Sequence, residues 1–495
     1  MIPLLYQRGF TGSVYCARET AEIATILLKD AARLSSGRFS EADVDAIRWK
    51  EPGREPFLGK PHPVATDLFL RFYRSSHVIG ATSVSVYWGP KDDRQRKIIF
   101  SGDLGTNLED RESMPYLRHV MRGAACDFAV LESTYGGKIR DAGITDARCR
   151  HDQLRELLDR TLAEQGTLIL PAFSLGRTQD VIFDLHWIVA NDPARYGNID
   201  FILDSPTAQK IAPIVLKALQ RTESNGQGKV RHLWLGKQMY QWFGLDDRIP
   251  EDIQRLLEIC RLSLCASVDE KPTLSDRGNM IARSWRSIFR VMEKGKARKL
   301  EPTSRATVLV VSSGSCDGGP SAEWIPDLLR SPRNTIALTG YCAQESVGGQ
   351  LLALATSSPS ERARHTGSVS WPDRGRSVPI AKIAARIARL EGYSAHADQV
   401  GLVHWLLGSD PTCPHGPVAQ TVFLQHGNDQ DRTALHNAVT ERANALGTRI
   451  DVTSPADSNR WIDLDAGQHG QFVRKDKAQI LQEIARLEAE LAEVE

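Results

Sequence analysis

The sequence predicts an α/β protein that uses two kinds of sheet, and three observations carry that expectation. Residues 66–74 and 82–88 alternate apolar and polar positions, as half-buried antiparallel strands do. From about residue 167 the strands become short, wholly apolar runs separated by helical periodicity, the pattern of a parallel sheet covered on both faces. At 495 residues the chain has length for two or three cores. Charge is nearly balanced, 62 basic against 61 acidic residues, so any basic surface has to be local. No run approaches eighteen apolar residues and the start lacks a signal pattern, which points away from a membrane. Eight dispersed cysteines without a CxxC pair suit reduced thiols and a cytoplasmic location.

Taken in order, Met1 to Tyr6 reads as the back half of a helix and Ser13 to Cys16 as a short strand. A helix is expected from Thr20 as N-cap, with Ile23, Ile26, Leu27 and Leu34 at helical spacing. The two alternating strands flank a loop, residues 75–81, that puts His77 at a strand end. Lys97 to Phe100 runs into Ser101-Gly102-Asp103-Leu104-Gly105, where the glycines let the backbone turn and aim the Asp103 carboxylate off the sheet. Alone, Asp103 reads as a turn former. Phe128 to Leu131 delivers Glu132, which turn chemistry explains less well, because Glu is a poor turn residue.

Apolar strands are expected at Leu168–Leu170, Phe201–Leu203, Val308–Val311 and Ile336–Leu338, with helices from Arg177 and after Pro206. These define an α/β unit over 167–390, and ligands of such sheets sit at the strand ends. The Ser312-Ser313-Gly314-Ser315 loop there offers backbone N–H groups to a phosphate, or is simply a tight turn. Residues 277–305 read as a basic amphipathic helix facing nucleic acid or solvent. Two further imidazoles, His396 in GYSAHAD and His426 in FLQHG, stand among small residues, so both can face one cleft as metal ligand and proton donor. A lone His after a strand is more often an ordinary loop residue. The tail over 471–495 carries Ile480, Ile484, Leu487, Leu491 and Val494 as an a/d seam, for a homodimer contact or for docking on the parent fold.

His77, Asp103, Glu132, His396 and His426 form an ordered set. The stretches SSHVIGAT, FSGDLGTN, LESTYGG, PAFSLGRTQ, LDSP, SSGSCDGGP, GYSAHAD and FLQHG resemble the β-CASP branch of the metallo-β-lactamase superfamily, the RNA-processing nucleases. The resemblance implies an αββα lactamase-like body, residues 1–166 and 391–470, with a Rossmann-like β-CASP domain, 167–390, inserted between its halves. It implies a zinc-dependent ribonuclease with two zinc ions, His77 and His426 each ligating one and Asp103 bridging. Glu132 and His396 match the family's acid pair, His396 protonating the leaving oxygen and Glu132 orienting it. Arg177, Ser313 and Ser315 fall where RNA would lie.

The superfamily's HxHxDH motif, which carries four metal ligands, is not found in the sequence. Met1 matches a point just downstream of it, so roughly the first sixty residues of the usual fold are expected to be absent. Three ligands shared by two zincs hold neither well, since a catalytic zinc keeps three protein ligands. The chain as written is therefore expected to be metal-poor and nearly inactive. Either its start lies upstream, or it is a non-catalytic relative that binds RNA or a protein. A small-molecule metallo-hydrolase is the remaining alternative, and an insertion of roughly 220 residues speaks against it.

Overall fold

The computed structural model describes residues 2–471 except 35–37, 54–56, 91–94, 107–115, 141–145, 225–229, 266, 275, 294–297, 299–304, 411, 413–414, 455–459 and 465–468. The expected tail seam lies outside the described residues.

The chain opens with α1 (Ile2–Gln7), β1 (Val14–Tyr15), α2 (Arg18–Leu34) and β2 (Trp49–Lys50), and β1 pairs parallel with β2. Helix α2 begins ahead of Thr20, which is therefore not its cap. The Arg18 N–H donates to the Glu51 carboxylate at 3.1 Å, a partner thirty-three residues away that local reading cannot see. Thr20 instead donates its hydroxyl to the Gly80 carbonyl at 2.7 Å and ties α2 to the loop that carries His77.

Next come β3 (His62–Ala65), β4 (Leu68–Arg74), β5 (Thr82–Trp88), β6 (Arg96–Phe100), β7 (Phe128–Glu132), α3 (Ala147–Glu164), β8 (Thr167–Pro171) and α4 (Arg177–Asn191). They are followed by β9 (Asp200–Asp204), α5 (Pro206–Gln220), β10 (Phe289–Val291), β11 (Thr307–Val311), α6 (Gly319–Leu328), β12 (Thr335–Leu338) and β13 (Arg386–Arg389). The chain then gives α7 (Gln399–Leu407), β14 (Thr421–Gln425), α8 (Asp429–Ala445) and β15 (Asp451–Thr453).

Two main sheets result. The first has seven strands in the order β15-β14-β7-β6-β5-β4-β3, antiparallel from β3 to β6 and parallel from β6 to β15. The second has six parallel strands in the order β10-β9-β11-β8-β12-β13. Its inner strands β9, β11, β8 and β12 are largely apolar because alternate residues enter different cores. Leu168, Leu170, Val308 and Val310 pack with Leu185 of α4 and Val215 of α5. Ile169, Leu309 and Val311 pack on the other side with Trp324 and Ile325 of α6. Each such buried side chain contributes about 1.5–3 kcal/mol relative to exposure. In the seven-stranded sheet, Ile99, Leu131 and Leu424 pack under Trp405 and Leu406 of α7 and Leu435 of α8.

On β5 the fully buried residues are Ser83, Ser85 and Tyr87, while the valines between them are only partly buried. Ser83 makes this tolerable by donating its hydroxyl to the Ser101 carbonyl at 2.6 Å.

The expected basic helix over 277–305 does not form. Among the described residues of this stretch only Met280–Ser284 is helical, and Phe289–Val291 is the edge strand β10. Trp285 and Phe289, four apart, do share the core, but through a bend and a strand. Two of the basic residues are neutralised: Arg290 forks onto Asp200 at 2.7 and 2.9 Å, and Arg298 bridges Asp204 and Glu323. Among the described residues no helix is long and apolar enough to cross a membrane.

Candidate active site

Strands β6, β7 and β14 run parallel, and β4 shares their direction because β5 between β4 and β6 is antiparallel to both. All four therefore end at one edge of the sheet. The residues that follow these ends, or close them, are His77, Asp103, Glu132 and His426. Gln425 stands opposite Glu132 in the ladder, which places His426 beside the Glu132 strand end. His396 arrives from elsewhere, in the loop between β13 and α7. It is held by a bridge to Gly105 and by the Ala397 N–H donating to the Leu104 carbonyl at 2.8 Å.

Backbone contact sets this geometry. Gly105 donates its N–H to the Ser75 carbonyl at 2.7 Å, and a Cβ there would stand 2.1 Å from the Ser76 carbonyl oxygen. Only glycine lets the His77 and Asp103 loops touch. Gly427 lies at φ +63°, and a Cβ there would meet the Ser133 carbonyl oxygen at 2.3 Å. Ser133 in turn donates to the carbonyls of Gln425 and His426.

Glu132 is buried and both carboxylate oxygens are used. Oε1 accepts the Leu104 N–H, and Oε2 lies 2.9 Å from His396 Nδ1. The other ring nitrogen of His396 is then left for whatever enters the cleft. The His396 ring also stands 4.5 Å from that of His77 and meets Tyr135 edge-on at 5.9 Å. Asp103 divides its carboxylate: Oδ2 is 3.9 Å from His77 Nε2, and Oδ1 is 3.3 Å from His426 Nδ1. Burial, with the cationic fields of His396 and Arg177, pulls His77 down to about 4 against the opposing pull of Asp103 and Glu132. A neutral His77 has a lone pair to give a cation.

Two donors on one tetrahedral zinc stand about 3.4 Å apart, from ~2.1 Å bonds. The His77–Asp103 and Asp103–His426 spacings are near this value, and one carboxylate oxygen faces each imidazole. The donor set fits cations, and His77, Asp103 and His426 would be the residues to hold a pair of them. With Asp103 shared, these three residues alone supply two donors per cation, one short of a three-ligand catalytic zinc, and Glu132 also lies within ligand reach of Asp103 and His426. His396 also lies within ligand reach of His77 and Asp103; its Nδ1 is committed to Glu132, which leaves Nε2 for a cation or for giving a proton.

The second wall comes from the six-stranded sheet, whose strand-end loops turn toward the same cleft. A Cβ on Gly176 would stand 2.9 Å from Val78 Cγ1, so the loop after β8 packs on the His77 loop. Arg177 follows, almost buried, paired with Asp180 at 3.3 Å and lying over the Tyr393 ring; its Nε has no partner among the described residues. Ser313 and Ser315 share a hydroxyl contact of 3.2 Å in the loop after β11. Two residues there were not singled out from sequence, Phe173 and Tyr341, which are 45 % and 66 % exposed. The Phe173 ring lies against the backbones of Gly314 and Gly340, so three strand-end loops meet under it. The motif PAFSLGRTQ contains Phe173, but an aromatic beside an apolar strand reads first as core.

Among curated proteins, a ribonuclease of Thermus thermophilus, Ribonuclease TTHA0252, is 24% identical over 440 residues, 88% of this chain and 79% of its own length. The Beta-Casp domain family model matches residues 178–351, from the first turn of α4 to beyond β12. Residues 178–351 are thus a β-CASP domain. Transcription termination factor FttA from Pyrococcus abyssi is 23% identical over 457 residues, and that from a Lokiarchaeum species 20% over 455. Each alignment covers about nine-tenths of this chain but 58% of the FttA protein, so the chain spans less than two thirds of those relatives.

Proposed function

We propose that this β-CASP protein hydrolyses phosphodiester bonds of RNA in the cleft between its two sheets, with His396 as general acid and Glu132 as its orienting partner. One observation carries the reading: a buried carboxylate aligns His396 at 2.9 Å beside an Asp103 carboxylate split between two imidazoles. His77, Asp103 and His426 would hold zinc, which when bound supplies charge relief on the phosphate and activates water. Glu132 keeps the His396 Nδ1 proton, so Nε2 is the atom that gives its proton to the departing oxygen. Arg177 and the Ser313–Ser315 loop position the phosphate chain, and Phe173 and Tyr341 offer faces on which bases stack. The ribonuclease and termination-factor relatives support RNA as the substrate class.

The test uses two substrates with added zinc. His396→Ala is expected to lower cleavage of ordinary RNA by roughly 10²–10⁴ and to leave a nitrophenyl phosphodiester, whose leaving oxygen needs no proton, almost unaffected. Equal loss on both substrates would remove His396 from the acid role.

A second reading, a non-catalytic RNA-binding relative, is favoured by the two-donor count per cation. It requires RNA binding without metal-dependent cleavage by the wild-type chain at saturating zinc.

A further inference from the structure

A cavity of about 420 Å³ opens at the end of α4 remote from the cleft, within the size range of small-molecule sites. α4 starts at Arg177 and runs fifteen residues, so its last turn lies about 20 Å away along the helix. The floor is fixed: the His186 ring stacks on the buried Trp285 at 5.7 Å, and Trp285 Nε1 donates to Ser263 Oγ at 3.2 Å. His186 Nδ1 donates to the Ile182 carbonyl at 2.7 Å and Nε2 accepts the Ile288 N–H at 3.4 Å, so the imidazole is fully engaged. Val189, Pro193 and Ile288 make apolar walls.

Three cations, Lys271, Arg283 and Arg286, line the same cavity. Among the described residues Lys271 and Arg283 pair with no acid, and Arg286 reaches only Asp269, at 4.0 Å. The neighbouring acid Glu270 is already taken by Arg261 at 2.7 Å. Positive charge with little acid beside it is thus gathered on a recess whose lining is part polar and part apolar. Guanidinium and ammonium groups lining one cavity match a phosphate, and the apolar walls match the body attached to it.

We propose that this cavity is a second binding site, separate from the cleft, for a phosphomonoester of nucleotide size. Its phosphate would lie on Lys271, Arg283 and Arg286, with the nucleoside against Pro193, Val189 and Ile288. The ligand is either a free mononucleotide or the phosphorylated terminal nucleotide of an RNA. Neither source requires the cleft to be catalytically active.

Calorimetry at low salt on the full chain tests this with 5′-AMP, adenosine, and short RNAs bearing a 5′-phosphate or a 5′-hydroxyl. Lys271 and Arg283 are both exposed, so K271E/R283E should keep the fold, as a matching thermal melt would show. AMP is expected to bind the wild type, to bind K271E/R283E at least about tenfold more weakly, and to bind the cleft variant Ser315→Ala as before. Competition by 5′-phosphorylated RNA alone identifies an RNA end as the ligand; no competition by either RNA identifies the free nucleotide. The proposal is overturned by absent AMP binding, by binding indifferent to the charge reversal, by adenosine binding as tightly as AMP, or by equal competition from hydroxyl-ended RNA.

Discussion

At the scale of single residues the site rests on which partner each polar atom already has. Glu132 uses one oxygen on the Leu104 N–H and the other on His396, so its carboxylate is committed to placing the imidazole. Asp103 makes no such commitment and faces two imidazoles. The two carboxylates should therefore fail differently. Glu132→Gln is expected to lower RNA cleavage by an amount close to that of His396→Ala, and the double variant by little more, because residues acting as one unit are not additive. Neither should change zinc content. His77→Ala or Asp103→Asn should lower it, and elemental analysis of the purified variants separates the two classes. Loss of zinc from the Glu132 variant would show that this carboxylate ligates metal.

Four of the five polar residues were legible in sequence for a physical reason: each follows or closes an apolar run, and strand ends of such sheets converge, whereas His396 sits in the loop between β13 and α7. Phe173 and Tyr341 were not, because hydrophobicity says that a ring prefers burial and says nothing about a ring displayed on glycine backbones. Their exposure makes a second prediction. Phe173→Ala should weaken single-stranded RNA binding by about 1–3 kcal/mol without shifting its dependence on salt, since no phosphate contact is removed. A change in the salt slope would mean that the substitution has moved Arg177 or the serine loop instead.

At the scale of elements, the parallel sheet was readable because its alternate side chains both enter apolar cores. The basic helix was misread because a spacing of four is met equally by a helix turn and by a bend leading into an edge strand. What selected the strand is pairing with β9 and the Arg290–Asp200 fork, both long-range. Long-range contact also fixes the cleft. Gly105 lets two strand-end loops touch, and Gly105→Ala puts a methyl group 2.1 Å from a carbonyl oxygen. The loops must part. The substitution is expected to destabilise the fold toward the upper end of the usual ~0.5–3 kcal/mol for single changes, and to separate His77 from Asp103. Denaturant unfolding and zinc retention measured together check this; unchanged retention would mean the Asp103 loop tolerates the displacement.

At the scale of the whole molecule, the two sheets are joined by a buried polar network near the cleft. Asp184 of α4 accepts from Arg150 of α3 at 2.8 Å and from the Tyr393 hydroxyl at 2.8 Å, with His151 Nε2 at 2.9 Å. Tyr393 begins the loop that carries His396, and Arg150 and Arg177 lie over its ring. Next to this cluster, Tyr116 donates its hydroxyl to Asp180. Burial alone would raise the Asp184 carboxyl, but Arg150 and His151 outweigh it and hold the group well below the usual carboxylate range. A carboxyl depressed in the folded state contributes stability above its unfolded value near 3.9, and that contribution is lost as pH falls toward the folded value. Asp184→Asn removes the buried carboxylate that Arg150 is bonded to, so the expected cost near neutral pH is about 3–5 kcal/mol. The gap between wild type and Asp184→Asn should stay level from neutrality to about pH 5 and narrow below about pH 4. Tyr393→Phe, which removes one donor and leaves the ion pair, should show a smaller gap that narrows over the same range. Denaturant melts of the three proteins between pH 3 and pH 7 decide the matter. A gap that does not narrow with acid would mean that Asp184 is not held as a stabilised carboxylate, and that the join between the sheets depends on packing rather than on charge.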